Sequence, residues 1–210
     1  MTSILKADEI QDSSGNLIIK EVANAITIGA SGDTISVPSG ATLTAPGHIL
    51  QVLSTTKLDT FTATNLAAGA VEDITGLSVD ITPSSTSNKI LVLYSVQGVS
   101  AAASRVVNFA TTLKRADTQI AIGDTAGSRI RVTNFLSVRA DANDTNVGGT
   151  VSYNYLDSPS STSALTYEVG LKNIQDSALT YYVNRTYGDA DDDNYRPRAT
   201  SSITVMEVAG

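Results

Sequence analysis

No cysteine occurs anywhere in the 210 residues, which excludes a disulfide, a thiolate metal site and a cysteine nucleophile. Folding therefore requires no oxidising compartment. Histidine occurs once, at His48, so any histidine-based zinc site, Ser-His-Asp triad or imidazole base has to use it. Its place in a predicted linker marks it as a solvated residue instead. No G-x-S-x-G elbow surrounds a serine, and no phosphate loop ends in Gly-Lys-Ser/Thr. Glu72 and Asp73 are adjacent, so a strand turns them to opposite faces and they cannot act as a glycosidase pair. Enzymatic activity and a cofactor are not expected. Positive charge is also scarce: 14 Lys and Arg against 21 Asp and Glu give a net charge of −7, which opposes binding to a phosphate backbone. No apolar run is long enough to cross a membrane as a helix, and no signal peptide is recognisable. The expected product is soluble and released into the cytoplasm of the cell that makes it.

What is present is rich in Ser, Thr, Ala and Gly, a balance typical of β-rich virion and surface proteins. The longest apolar run is Lys89-Ile-Leu-Val-Leu-Tyr-Ser-Val-Gln97. Its β-branched and aromatic content predicts a central strand covered on both faces, introduced by the loop Pro83-Ser-Ser-Thr-Ser-Asn88 and closed by Gly98. Around it, apolar residues alternate with polar ones at the period of a half-buried strand. Predicted strands lie at 49–53, 59–62, 77–81, 107–113, 119–122, 130–139, 151–155, 165–171, 179–183 and 202–208. Val107, Phe109, Thr111 and Leu113 share one face, and Ile130 and Val132 continue into Leu136 and Val138. Tyr153, Tyr155 and Tyr167 are read as core. The closing strand is apolar on both faces, with Ile203 and Val205 on one and Met206 and Val208 on the other. That pattern suits the inside of a sandwich or a subunit contact. Together these features predict an all-β antiparallel sandwich or jelly roll over residues 48–210.

Residues 1–47 differ from the rest. Ser3 to Ile10 reads as a short strand or a turn of helix, Asp12-Ser-Ser-Gly-Asn16 as a turn and Leu17-Ile-Ile19 as a strand. Ile28-Gly-Ala-Ser-Gly-Asp-Thr-Ile35 is then echoed by Ile35-Ser-Val-Pro-Ser-Gly-Ala-Thr-Leu43. Units this short cannot cover their own apolar positions, so a thin shaft shared between chains is expected. Ala45-Pro-Gly47 reads as the linker where the extended arm ends.

Two clusters near the C terminus carry the candidate chemistry. Asp189, Asp191 and Asp193 offer oxygens to Ca²⁺, but no glycine follows Asp193 and no glutamate closes the loop, so the expected reading is a solvated hairpin tip and no metal. Seven of the eight tyrosines fall between residues 153 and 195. Tyr187 and Tyr195, beside Arg185, Arg196 and Arg198, are candidates for a sugar contact, with core packing as the alternative.

Ile35-x-Val-Pro-Ser-Gly-Ala-Thr-Leu43, Gln51-Val-Leu-Ser-Thr-Thr-Lys57 and Ile74-Thr-Gly-Leu-Ser-Val-x-Ile-Thr-Pro-Ser-Ser-Thr-Ser-Asn-Lys-Ile-Leu-Val92 resemble a family of structural proteins of tailed phages, common in marine ones. The similarity continues through Ile122-Gly-Asp-x-Ala-Gly-Ser-Arg129, Leu156-Asp-Ser-Pro159, Val183-Asn-Arg185 and Ser202-Ile-Thr-Val-Met-Glu-Val-Ala209. These are packing and turn motifs, and no catalytic residues come with them. The resemblance implies a virion component, usually described as a tail fibre protein, that is homotrimeric. Residues 1–47 would be fixed to other virion proteins, with the C-terminal domain facing a host polysaccharide. The alternative is a capsid decoration, head-fibre or tail-adaptor protein with a purely structural role. A fibre tip is expected to carry aromatic and polar loops such as 185–198, and a decoration protein a contiguous apolar footprint.

Overall fold

The run from Lys89 forms the strand on which the larger sheet is assembled, and it extends further than its apolar residues. A computed structural model describes residues 9–23, 25–38, 45–101, 106–139, 146–191 and 194–210. They fall into two units, Met1–Thr44 and Ala45–Gly210.

In the first unit, β1 (Glu9–Gln11), β2 (Leu17–Val22) and β3 (Ala25–Ile28) form an antiparallel meander. Asp12 builds the β1–β2 turn by accepting from the N–H groups of Ser14 and Asn16, both at 2.8 Å. Past β3, Gly29 takes a φ of 79° and the Asp33 carboxylate accepts the Ala30 N–H, so the first repeat unit is a turn. Residues 31–38 form no strand. The segment before Glu9 and the repeat positions from 39 to 43 lie outside the described residues.

The second unit is an antiparallel sandwich, as the alternation predicts. Its strands are β4 (Ile49–Lys57), β5 (Phe61–Leu66), β6 (Val71–Ile81), β7 (Lys89–Ser100), β8 (Val106–Arg115), β9 (Thr118–Ile120), β10 (Asn134–Arg139), β11 (Gly149–Asp157), β12 (Leu165–Lys172), β13 (Leu179–Val183) and β14 (Ser201–Val208). One sheet runs β10-β8-β12-β6, with β9 also on β8. In the other, β11 pairs one edge of β7 along Ile90 to Gly98, while β14 and β13 share the opposite edge end to end. β4 flanks β14, and β5 flanks β13. The core between the sheets is built from alternate residues: Leu77, Val79 and Ile81 of β6, Phe109 and Leu113 of β8, and Tyr167, Val169 and Leu171 of β12. These face Ile90, Val92, Tyr94 and Val96 of β7 and Ile203 and Val205 of β14. The Val107 side chain lies outside the described residues.

Several expectations are corrected. β7 is central within its sheet, but its outer face is covered only toward the far end: Leu93 there is 37% exposed, whereas Val99 is buried against Val147 and Tyr182. Gly98 does not close the strand. It pairs with both Gly149 and Val183, and the Phe109 ring fills the space where a Cβ would stand. Strand β10 starts at Asn134, so Ile130 and Val132 precede it. Upstream, the Thr133 hydroxyl accepts the Leu113 N–H at 2.8 Å in place of a ladder bond, and the chain leaves the edge of β8. Tyr167 is core, whereas Tyr153 on edge strand β11 is 36% exposed. Ala45 to Gly47 belong to the second unit: the Gly47 N–H donates to the Ala209 carbonyl, and Ala209 donates to His48, both at 2.8 Å. Glu207 takes an inward position expected for an apolar residue. Its carboxylate accepts from the Ser84 N–H and hydroxyl, the Asn88 amide and the Gln51 amide.

Candidate recognition and assembly surfaces

Residues 184–200 leave the sheet between β13 and β14, which would otherwise form one continuous edge against β7. Asn184 makes the departure possible. It is fully buried at a φ of 61°, a left-handed conformation that asparagine tolerates. Its side-chain amide donates to the carbonyls of Lys57 (3.0 Å) and Asp59 (2.8 Å), and its Oδ1 accepts from the Ser201 hydroxyl at 2.6 Å. Its carbonyl accepts from Ala199 N–H at 3.1 Å, so both ends of the excursion are tied to one residue.

Within the excursion the predicted contact residues are engaged largely with one another. The Arg185 guanidinium lies 4.1 Å from the centre of the Tyr182 ring, a cation–π contact, and Nη1 is 2.6 Å from Asp189 Oδ2. Arg198 Nη2 is 2.8 Å from the other oxygen of Asp189. Tyr187 packs its ring against Tyr182 at 5.8 Å between centroids. Arg196 donates through Nε to Asn146 Oδ1 at 2.9 Å, and Tyr195 is 78% exposed. Tyr182, which sequence reasoning assigned to a strand alone, is the platform for both Arg185 and Tyr187. Of the three acidic candidates, Asp189 is held by two arginines and Asp191 is exposed, and Asp193 lies outside the described residues. Millimolar calcium is accordingly expected to leave the melting temperature unchanged relative to a chelator, by thermal denaturation; a rise of several degrees would show selective binding to the native state.

A second surface emerges from strand register. On the outer face of the larger sheet, Leu156, Leu91, Met206 and Val52 form one row across β11, β7, β14 and β4. The next row is Asn154, Leu93, Thr204 and Ser54, and the next Ser152, Ser95, Ser202 and Thr56. Hydroxyls link across strands, Ser95 with Ser152 at 3.0 Å and Ser54 with Thr204 at 2.8 Å. These three rows contain no charged residue. Leu156 is 46% and Val52 54% exposed, and a shallow concavity of about 350 Å³ lies over Leu93 and its serine neighbours.

No family model matches the chain, and no curated protein matches it. Among solved structures, a chain of "Structure of infectious bursal disease virus Gx strain" is similar, with 12% sequence identity and a TM-score of 0.36 over 84% of this chain. The match takes in 45% of that chain, so this protein spans less than half its length.

Proposed function

We propose that this chain is a non-catalytic structural protein of a tailed-phage particle: a homotrimeric tail fibre or fibre-tip protein, anchored to other virion proteins through its first unit and presenting its sandwich to a host-surface glycan. The observation that carries this reading is the exposure of large apolar residues among those described in the first unit. They run from 37% exposure at Ile10 to 69% at Ile26 and include Ile28, Ile35 and Val37, while Leu17 is half-buried. Surface of that kind is stable in water when other chains cover it, and closed rotational symmetry lets identical chains do so mutually. The phage-type motifs quoted above support the same reading.

Light scattering tests it. The full chain is expected to give three times the 21.9 kDa protomer mass. A chain starting at Ala45 is expected to melt cooperatively as a sandwich yet lose trimerisation, because the sandwich has its own core. A full-length monomer at micromolar concentration contradicts both the trimer and the shared N-terminal shaft.

The uncharged outer rows of the larger sheet favour the second reading, a capsid decoration, head-fibre or tail-adaptor protein, since they provide the contiguous footprint such a part needs. Electron microscopy of labelled particles separates the two: a fibre protein lies at the distal end of a tail appendage, a decoration protein in many copies over the head.

A further inference from the structure

Five cations of the second unit form ion pairs with described residues. Lys57 pairs with Asp59, Lys114 with Asp73 and Glu168, Arg115 with Asp157, and Arg185 and Arg198 with Asp189. Like Lys89 and Arg139, the three cations Arg129, Arg131 and Lys172 form no ion pair with a described residue, in a chain whose net charge is −7.

The backbone gathers them. Residues 121–133 swing out between β9 and β10, starting from Ala121 at a φ of 52° and turning at Gly127 at 58°. Hydrogen bonds pin the segment: Gly123 N–H to Val132 O, Arg129 N–H to Ala126 O, and Arg131 Nε to Gly123 O at 2.6 Å. The last of these fixes the Arg131 side chain and leaves its two terminal nitrogens unengaged among the described residues. A concavity of about 330 Å³ results, lined by Asp124, Arg129, Arg131, Asn134 and Phe135 among others. Asp124 lies beyond ion-pair distance of either arginine. Phe135 is 58% exposed, and Ile130 beside it 40%. Register aligns Lys172 with Phe135 across Ala110, which is itself buried. Burial, and after it the charge of Arg131, hold the Lys172 ammonium below its ordinary range. Like charges kept close without a counter-ion are unfavourable, and a bound anion relieves them.

We propose that this concavity binds an acidic saccharide: Arg129 and Arg131 take the oxyanion of a carboxylated or phosphorylated sugar, Lys172 adds charge at the rim, and Phe135 stacks on the C–H face of the ring. Guanidinium groups suit planar oxyanions through paired N–H donors. An exposed aromatic ring in an otherwise polar wall supplies the apolar contact. The volume is at the small end of ligand sites, roughly 300–1,000 Å³, which suits the end of a chain or a short stretch of one. In residues 185–198, by contrast, Asp189 already occupies both Arg185 and Arg198.

Calorimetric titration of the full chain with polygalacturonate, a phosphorylated mannan and neutral dextran tests the site, and the first two separate carboxylate from phosphate. Binding of at least one acidic polymer and not of dextran is expected. Combined Arg129→Ser and Arg131→Ser is expected to weaken it about tenfold or more and to flatten its dependence on salt. Phe135→Ala, a change at an exposed position, is expected to weaken it several-fold while leaving the salt dependence and the melting temperature alone. The proposal is overturned by dextran binding as tightly as the acidic polymers, by affinity unaffected by either change, or by single-stranded DNA binding equally well with Phe135→Ala inert. The site rests on the reading of the chain as a glycan-facing virion protein. Loss of saccharide binding with the trimer intact removes the site alone, whereas a monomeric chain removes that reading.

Discussion

Replacing Glu207 with leucine is expected to cost about 3–5 kcal/mol, although leucine is close to it in size. The side chain is 1% exposed and accepts four hydrogen bonds, from Ser84 N–H and Oγ, Asn88 Nδ2 and Gln51 Nε2, at 2.6–2.8 Å. Those donors belong to the loop before β7 and to edge strand β4. Without the carboxylate, the Ser84 N–H and the buried Asn88 amide lose their acceptor. For a chain of this length the loss corresponds to a melting temperature lower by on the order of 10 °C. A drop of 2 °C or less in calorimetry means that the loop finds other partners. Acid titration adds an independent check. Burial acts to raise the Glu207 pKa, but the hydrogen bonds from Asn88, Gln51 and Ser84 outweigh it and hold the group below its ordinary value. A carboxyl lowered on folding stabilises the native state above its unfolded pKa of about 4.3, and that contribution disappears as pH falls through the folded value. Glu207→Gln is therefore expected to be less stable than the parent at pH 7 and to lose less on going to pH 3. Parallel acid limbs for the two proteins contradict this assignment.

Gly98→Ala adds one methyl group and is expected to cost about 3 kcal/mol, the upper end of ordinary overpacking. The new carbon would stand 2.3 Å from the Phe109 ring and 2.8 Å from the Tyr182 carbonyl oxygen. Neither neighbour has room to retreat: Phe109 is 1% exposed and packs against Tyr181, and the carbonyl belongs to the adjacent strand. Phe109→Leu trims the ring that causes the clash. In the double mutant the two costs are expected to fall short of additive by about 1 kcal/mol or more, measured by denaturant unfolding as a mutant cycle. Additive costs would show that the Tyr182 carbonyl, not the ring, sets the limit.

These two positions show where sequence reading succeeds and where it stops. Alternation at Leu165–Leu171 and Leu77–Ile81 is a local signal, and it identified strands and their buried faces because one side of each is core. Gly98 followed an apolar run, and read locally it was a terminator. Its actual role depends on Phe109, which is its neighbour only through folding. Ile130 and Val132 had the right spacing for a strand, yet spacing carries no information on whether a hydroxyl such as Thr133 has already taken the edge of β8. Residues 185–198 were recognisable as polar and aromatic, and the structure brings Arg185, Arg198 and Asp189 together. Pairing among them, and the stack on Tyr182, depended on how the excursion folds back. The uncharged rows on the larger sheet were illegible for a different reason. Leu156, Leu91, Met206 and Val52 come from four separate strands, and only register aligns them.

The double tie at Asn184 has a consequence for how this protein can change. Because β13 and β14 lie along the same edge of β7, and Asn184 bonds Ala199 and Ser201 across the gap, everything between behaves as an exchangeable cassette with closed ends. Doubling the length of a loop whose ends are already fixed costs only about 0.6 kcal/mol. Sequence there can diversify, lengthen or be replaced by a foreign binding loop without the sandwich having to refold around it. Selection on this loop is thereby separated from selection on what holds the domain together.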